Sequence, residues 1–553
     1  MTNKAIAKTL RKTAKLMELA GENKFKVRAY EKAARAIRGF PEPLEPHLEQ
    51  GELPEINGVG KGIAAALKEL NKNGELTKLT ELREKIPPGV VELSEVNGLG
   101  ASKLRTLWKD GGITSPEELI EAAEANKLVE LKGFGAKTQA TIYNAVMYHN
   151  RNRHKLHLST ALAATERLQQ VLDDLDVVDN HSPVGELRRH CPTIEQLQWL
   201  VSVAEDKRTK LIEALASADF SPDGEAPVEL ELEEAAKLHL FICTRAEFPR
   251  QLFELTTEGQ HFDYFQDVLS EELSEEAEIY AKKQLPFIVP ELRENTVELD
   301  LAQQDALPEL LKISDLKGVL HAHSTYSDGA FSLREMAEAC IERGYEYLGI
   351  TDHSQSAFYA DGLNSERVQE QWAEIDELNS EFDSFRIFKG IESDILTDGS
   401  LDYSDEILAG FDFIIGSIHS GFKMSEEQAT QRLISAIKNP YLTILGHPTG
   451  RLLLNREGYS IDHQRIIDAA AEHGVVIELN SNPWRLDIDW TWLRYMDERG
   501  VKTAICPDAH SKVGIDDMRY GVMVGRKGFL TAEQTLNTLS TDELEDYFKK
   551  RRP

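Results

Sequence analysis

The chain has 553 residues, is 41% hydrophobic and 28% charged, and carries a formal net charge of −31. That length exceeds what one hydrophobic core sustains, so several domains are expected. The balance excludes a fibrous or disordered chain, and no apolar run reaches the roughly 20 residues of a membrane helix.

The basic start MTNKAIAKTLRKTAKLMELAGENKF lacks the apolar block of a signal peptide. Cys191, Cys243, Cys340 and Cys506 lie far apart without a CxxC pair, which speaks for a reducing cytoplasm rather than a disulfide framework. Residues 1–40 hold eleven Lys/Arg against three Glu, while the remainder is acidic. A polyanion is therefore expected to meet one basic module, in a salt-sensitive way.

Apolar spacing predicts helices over Ile6–Leu19 and Tyr30–Ile37. A short pattern then occurs three times, as LPEINGVGKGIAAAL, LSEVNGLGASKLRTL and LVELKGFGAKTQATI. Each is an apolar helix end, a Gly-x-Gly hairpin (Gly58 and Gly60, Gly98 and Gly100, Gly133 and Gly135) and a new amphipathic helix. Glycine permits a positive φ and a close backbone approach, and the helix that follows offers unpaired N–H groups. That cradle holds phosphate without reading bases. It is the helix-hairpin-helix motif of sequence-independent DNA binding. Lys24, Lys26, Arg28, Lys32, Arg35 and Lys61 are candidate phosphate contacts.

Residues 160–290 read as mixed, with candidate strands Leu197–Val203 and Leu238–Cys243. SPDGEAPVELELEEAAK reads as a turn and then an edge strand or loop. Pro286, Pro290 and ELRENTVELD read as an extended linker. From Gly318, strands and helices alternate, which predicts βα units around a parallel sheet or barrel. The apolar runs are GVLHAHS, YLGITDHS, FRIFKGIESDI, FDFIIGSIHS, LTILGHPTG, VVIELNS and TAICPDAH. Nearly all end in His, Asp or Glu, where (β/α) barrels carry their chemistry. His321, His323, Asp328, His353, Glu392, His419, His447, Asp508 and His510 form the polar set. Imidazole and carboxylate together suit zinc, manganese or iron. Nine such groups suffice for two or three ions, which can supply a nucleophile and polarise a phosphoryl oxygen. Asp352 and Asp394 are candidates for supporting these ligands rather than joining them.

HAHSTYSDG, TDHS, GIESDI, GSIHS, GHPTGRLL, ELNSNPWRLD and PDAHS resemble the successive motifs of a PHP (polymerase and histidinol phosphatase) domain. GHPTGRLLLNREGY, NSNPWRLD and the N-terminal GENKFKVRAYEKAARAI resemble bacterial family X DNA polymerases of the PolX type. The resemblance implies a multidomain α plus α/β protein. Its parts would be a lyase-like helical module (1–85), fingers (86–155), palm and thumb (156–290), a linker (291–316) and a distorted (β/α)7 PHP barrel (317–553). It implies a trinuclear manganese or zinc site that hydrolyses phosphoesters, with 3′–5′ exonuclease activity. By that resemblance His321, His323, Glu392 and Asp508 are the catalytic ligands of one ion. Glu392 bridges to a second near His419 and His447, and Asp328, His353 and His510 hold a third. Arg451, just after HPTG, is a candidate for binding substrate phosphate.

The palm departs from the family pattern. GELRRHCPTIEQLQW keeps Gly185, Arg188 and Arg189, but Gln196 and Gln198 stand where two aspartates belong, and His239 stands where a third carboxylate belongs. Glutamine is neutral and cannot replace a carboxylate that holds magnesium against a triphosphate. A degenerate palm is therefore expected. The position of a family Schiff-base lysine holds Ala66, with Lys61 and Lys68 on other faces of the helix. The expectation is a metal-dependent phosphoesterase acting on gapped, nicked or single-stranded 3′ ends of DNA, cytoplasmic and nucleoid-associated. The alternatives are an active gap-filling polymerase with a PHP exonuclease, and a non-catalytic DNA-binding repair scaffold.

Overall fold

The computed structural model describes residues 3–40, 42–96, 98–223, 227–232, 236–295 and 297–552. Their contacts define two compact units, Met1–Arg153 with Leu454–Arg456, and His154–Leu453 with Glu457–Pro553.

The first unit is helical and is built around one core that includes Leu10, Leu16, Ala33, Ile37, Leu67, Leu104 and Val146. Helix α1 spans Asn3–Ala20 and α2 spans Lys24–Arg38. Asn23 caps α2 by accepting from the Phe25 N–H, and Val27, Ala33, Ala34 and Ile37 turn into the core. Helices α3 (Lys61–Asn73), α4 (Ala101–Lys109) and α5 (Ala136–Asn152) each follow one Gly-x-Gly hairpin. The three hairpins share one geometry. Gly58, Gly98 and Gly133 have φ of 103°, 78° and 88°, and Gly60, Gly100 and Gly135 are extended N-caps.

The second unit opens with a four-stranded sheet. Its strands are β1 (Val178–Pro183), β2 (Leu197–Val203), β3 (Val228–Glu231) and β4 (Lys237–Cys243), in the order β1-β2-β4-β3. β2 and β4 run parallel and the flanking pairs antiparallel. β3 is the edge strand within SPDGEAPVELELEEAAK, of which residues 224–226 and 233–235 lie outside the described residues. The reading of 291–316 as an extended linker is corrected here. The segment contains the helix Glu298–Gln303, and Glu291, Arg293 and Glu298 are buried. Arg293 is pinned by Glu276 at 2.7 Å, a long-range pairing that Pro286 and Pro290 conceal in the sequence.

Seven parallel strands follow: β5 (Gly318–Ala322), β6 (Tyr347–Ile350), β7 (Arg386–Asp394), β8 (Phe413–Ser417), β9 (Ile444–Leu445), β10 (Val476–Asn480) and β11 (Thr503–Cys506). They lie side by side in chain order. The first and last strands meet, since the His323 N–H donates to the Ala509 carbonyl (2.9 Å) and the Ala509 N–H to the His321 carbonyl (3.2 Å). The sheet is thus a nearly closed barrel. Leu320, Tyr347, Phe388, Phe413, Ile415, Ile444, Val476 and Ala504 fill its interior. Alternate residues such as Val319, Leu348 and Ile387 face one cluster of the surrounding helices, and Ile414 and Ile477 another. Phe548, on the last helix, stacks on Phe413 (centroids 5.0 Å, planes 8° apart) and plugs the end where the strands begin. The other end, where the strands finish, is left for chemistry.

Candidate functional site

At that end the structure brings the nine candidate ligands together. His321 and His323 flank Ala322, Asp508 and His510 flank Ala509, and the Ala322–Ala509 bridge sets the pairs side by side. The pairing shifts register at His321, whose φ is 72°, while Asp508 has φ 53° and His447 φ 22°. Such strained backbone persists only where the surroundings enforce it.

Glu392 on β7 is the centre. Its oxygens lie 3.0 Å from His353 Nδ1, 3.0 Å from His447 Nε2, 3.1 Å from His419 Nε2 and 3.4 Å from His321 Nε2. Asp508 Oδ1 lies 3.1 Å from His323 Nε2 and 3.5 Å from His321 Nε2. Asp328 Oδ1 lies 3.1 Å from His510 Nε2 and 3.6 Å from His353 Nε2. Among the described residues, three sets of donor atoms are close enough to hold an ion. They are His321, His323 and Asp508; His353, Glu392 and His419; and His323, Asp328, His353 and His510. This grouping differs from the expected partition. His323 and His353 are each shared by two sets, and His447 touches Glu392 without joining one.

The chemistry of these donors fits divalent cations. His321 Nε2, His323 Nδ1, His353 Nδ1, His447 Nδ1 and Glu392 Oε2 are buried without a well-aligned hydrogen bond, even where His353 Nδ1 and Glu392 Oε2 lie 3.0 Å apart, which native proteins avoid unless something else binds there. Burial opposes the charge of Glu392, yet His419, His321 and His353 outweigh it and hold its carboxyl well below the usual range. Asp508 is likewise lowered, with His321 and His323 overcoming burial. Burial and the neighbouring His510 and His353 push His323 down to about 3, leaving the neutral ring a metal ligand requires. Burial disfavours a charged His419, but Glu392 and Asp394 lift it to about 10. Partial burial opposes the charge of His510, but Asp328 and Asp508 lift it to about 9.

A further ring of groups orients these donors. Asp394 accepts from His419 Nδ1 (2.6 Å) and from the Ser356 hydroxyl (2.7 Å). Asp352 points away from the donors and accepts from Ser324, Ser327 and Gln371, which fixes the loop after β5. Sequence reasoning missed Glu478. Fully buried on β10, it accepts from His321 Nδ1 and from the His447 N–H, both at 2.5 Å. The signal was its place two residues after Val476, on the inward face of an otherwise apolar run.

Arg451 does not reach the cluster. It donates to Asp489 (2.7 Å) and to the carbonyls of Arg485 (2.9 Å) and Leu486. The substrate-phosphate expectation for Arg451 is corrected: its fork is spent bracing the loop after β10. Arg485 on that loop is the cation that faces the ligands, with Nε 3.3 Å from Asp508 Oδ2.

In the four-stranded sheet, Gln196, Gln198 and His239 do come together. Gln198 donates to Gln196 Oε1 (3.2 Å) and pairs in register with His239. A Cβ on Gly185 would lie 2.6 Å from Gln198 Oε1, so the GELRR turn sits directly over this position. Arg188 grips Glu276 (2.8 and 2.7 Å), and Arg189 pairs with Glu294 (3.1 Å). On α2, the exposed Lys24, Arg28, Lys32 and Arg35 recur at intervals of three and four and share one face, while Lys26 lies in the first turn off that stripe. The Lys32 stem packs against Gly58 of the first hairpin. Ala66 is buried on α3, whereas Lys61 and Lys68 are exposed.

A parallel barrel with a histidine–carboxylate rim, joined to tandem helix-hairpin-helix units, defines a PHP-type protein with a DNA-binding module. Residues 1–76 match a helix-hairpin-helix domain, 90–146 a SAM-like helix-hairpin-helix tandem and 320–482 a PHP domain. Asp508 and His510 lie beyond the matched PHP residues, and the barrel closure supplies them. The chain is 37% identical over 573 aligned residues to the DNA polymerase/3′–5′ exonuclease PolX of Bacillus subtilis (strain 168), covering all of both chains. It belongs to the PolX family. Over 245 aligned residues it is 28% identical to a probable phosphatase of Thermoanaerobacter sp. (strain X514), covering 42% of this chain and 94% of that one. A probable phosphatase of Caldanaerobacter subterraneus subsp. tengcongensis is 29% identical over 42% and 91%. No described helix is long and apolar enough to cross a membrane.

Proposed function

We propose that the protein is a manganese- or zinc-dependent phosphoesterase acting on DNA, a 3′–5′ exonuclease of repair whose palm no longer transfers nucleotides. The observation that carries this is Glu392, buried with four imidazoles within 3.4 Å, in a chain that also holds three phosphate-cradling hairpins. His321, His323 and Asp508 would hold one ion, Glu392, His353 and His419 a second, and Asp328 and His510 would complete a third. Such ions neutralise a phosphodiester and lower the pKa of water. Within the chain, Glu478 and Asp394 fix the ring orientations of His321 and His419, and Arg485 offers a planar donor fork to a phosphate oxygen. The hairpins and the α2 stripe would grip the backbone without reading sequence, which suits gapped, nicked or single-stranded 3′ ends in the cytoplasm at the nucleoid. Replacing Glu478 with glutamine is expected to weaken divalent-metal retention about 10- to 100-fold. Metal content after dialysis against graded chelator checks this.

Two neutral amides and an imidazole occupy the palm positions that need carboxylates, and the retained Arg188 and Arg189 are committed to Glu276 and Glu294. An active polymerase is the second reading, favoured by the name of the Bacillus subtilis relative and by the retained sheet. A gapped duplex with a 5′-labelled primer, incubated with manganese with and without dNTPs, separates the two. Primer shortening without extension is expected. Extension would overturn the palm reading, and unchanged primer with DNA binding intact would overturn the nuclease reading.

A further inference from the structure

The loop after β6 places its side chains against the usual rule. Small Ala357 and Ala360 are buried, at 0% and 1% exposure, while Phe358 and Tyr359 between them are 90% and 68% exposed. Phe358 is the most exposed of the large hydrophobic side chains of the described residues. A single exposed apolar residue is ordinary, but two adjacent aromatics turned outward beside a polar cluster are not.

The loop is braced, so this exposure is not that of a loose segment. The Ala357 N–H donates to the Ser354 carbonyl (3.0 Å), the Gly362 N–H to the Ala357 carbonyl (3.2 Å) and the Leu363 N–H to the His353 carbonyl (2.9 Å). Ser356 donates its hydroxyl to Asp394 (2.7 Å) and its N–H to Asp402 (2.6 Å). A Cβ at Gly362 would stand 1.9 Å from the Ser354 carbonyl oxygen, so only glycine closes the turn. The loop also borders the donors. The Tyr359 ring centroid is 5.9 Å from that of His353 and 6.3 Å from that of His419. Asp394 ties Ser356 and His419 together, which fixes the aromatics relative to the ligands.

A rigid, exposed aromatic pair beside a phosphate-cleaving centre is suited to a flat, apolar-faced partner that arrives attached to a phosphate. A nucleobase is such a partner, and stacking on it costs little entropy when the platform is already ordered. A paired terminal base is held in the helix by its partner and by the neighbour stacked beneath it, whereas an unpaired base can swing out and lay a face on the platform, so the platform favours an unpaired end. We propose that Phe358 and Tyr359 stack the unpaired base of the 3′-terminal nucleotide and so select frayed or single-stranded ends over paired ends and over base-free phosphate esters. The proposal rests on the phosphoesterase reading above.

The test compares a single-stranded oligonucleotide ending in a normal nucleotide with one ending in a base-free tetrahydrofuran residue. The wild-type protein is expected to favour the base-bearing end by about 5- to 150-fold in kcat/KM, the range that one base–aromatic stack provides. In Phe358→Ala/Tyr359→Ala that ratio is expected to fall near one, and in Phe358→Trp to persist. A ratio unchanged in the double variant, or absent from the wild type, overturns the proposal. A second readout is independent of turnover. A 3′-terminal 2-aminopurine behind a phosphorothioate linkage, which slows cleavage, should lose fluorescence on binding metal-loaded wild-type protein and keep it with the double variant. Quenching that depends on Phe358 and Tyr359 without cleavage of either end would sink the phosphoesterase reading and leave the platform standing. Cleavage without such quenching would do the reverse.

Discussion

Glu392→Ala is expected to reduce phosphodiester cleavage to background, a loss on the order of 10³-fold or more, as when one member of a concerted catalytic group is removed. Glu392 is 1% exposed, and its two oxygens face His321, His353, His419 and His447. Alanine there would leave the cations of one donor set without their carboxylate and deprive His419 of the charge that lifts it. Metal content should fall with activity, which separates a ligand from a merely structural residue. Glu392→Gln keeps the shape and removes the charge, so it should fold and still fail. Substantial exonuclease activity in a folded Glu392→Gln protein would end the assignment. Both properties are measured on one preparation, by metal analysis and by shortening of a labelled primer.

Glu276→Ala is expected to have the largest effect on stability, on the order of 3–5 kcal/mol, with no direct contact to the metal cluster. Glu276 is 7% exposed and lies between Arg188 (2.8 and 2.7 Å) and Arg293 (2.7 Å), the latter fully buried. Removing it strands the Arg293 guanidinium where water cannot reach it and takes from the partly buried Arg188 its bidentate partner. Burial disfavours the charged carboxylate, but Arg188 and Arg293 outweigh burial and hold it down to about 2, against an ordinary 4.5. The sign follows from linkage: the carboxyl binds its proton less tightly in the folded state, so the stabilisation is complete above about pH 4.5 and is lost as pH falls toward 2. Melting curves of wild type and Glu276→Ala should therefore differ most near neutral pH and converge in acid. A constant difference across that range would refute this role.

Much of the barrel and its rim was legible because both write local signals. Seven apolar runs, nearly all ending in His, Asp or Glu, need no knowledge of neighbours, and the Gly-x-Gly spacing predicts a turn that the φ values of Gly58, Gly98 and Gly133 display. What stayed hidden depends on distant partners. Glu478 looks like one charge in a strand until the inward direction of Val476 is known. Arg451 follows HPTG, beside His447 in sequence, but Asp489 and the 485–486 carbonyls decide where its fork points. The supposed linker hid the same way, since Arg293 meets Glu276 across a loop that no periodicity reveals. Nothing in the sequence sets Phe358 and Tyr359 apart from other aromatics, and only the burial of Ala357 and Ala360 shows them turned outward.

The bridge between Ala322 and Ala509 also has a temporal meaning. His323 and Asp508 are 185 residues apart in sequence, and the first and last barrel strands must pair before they share one rim. Contacts of such long range carry a high loop-closure cost and form late. During synthesis the hairpin module emerges first and can fold on its own core, while the rim stays without Asp508 and His510 until the final strand arrives. On the proposed function, a ribosome-bound or prematurely ended chain would hold the hairpins before it held a complete cleavage site, because the last donors are delivered by the strand that completes the ring.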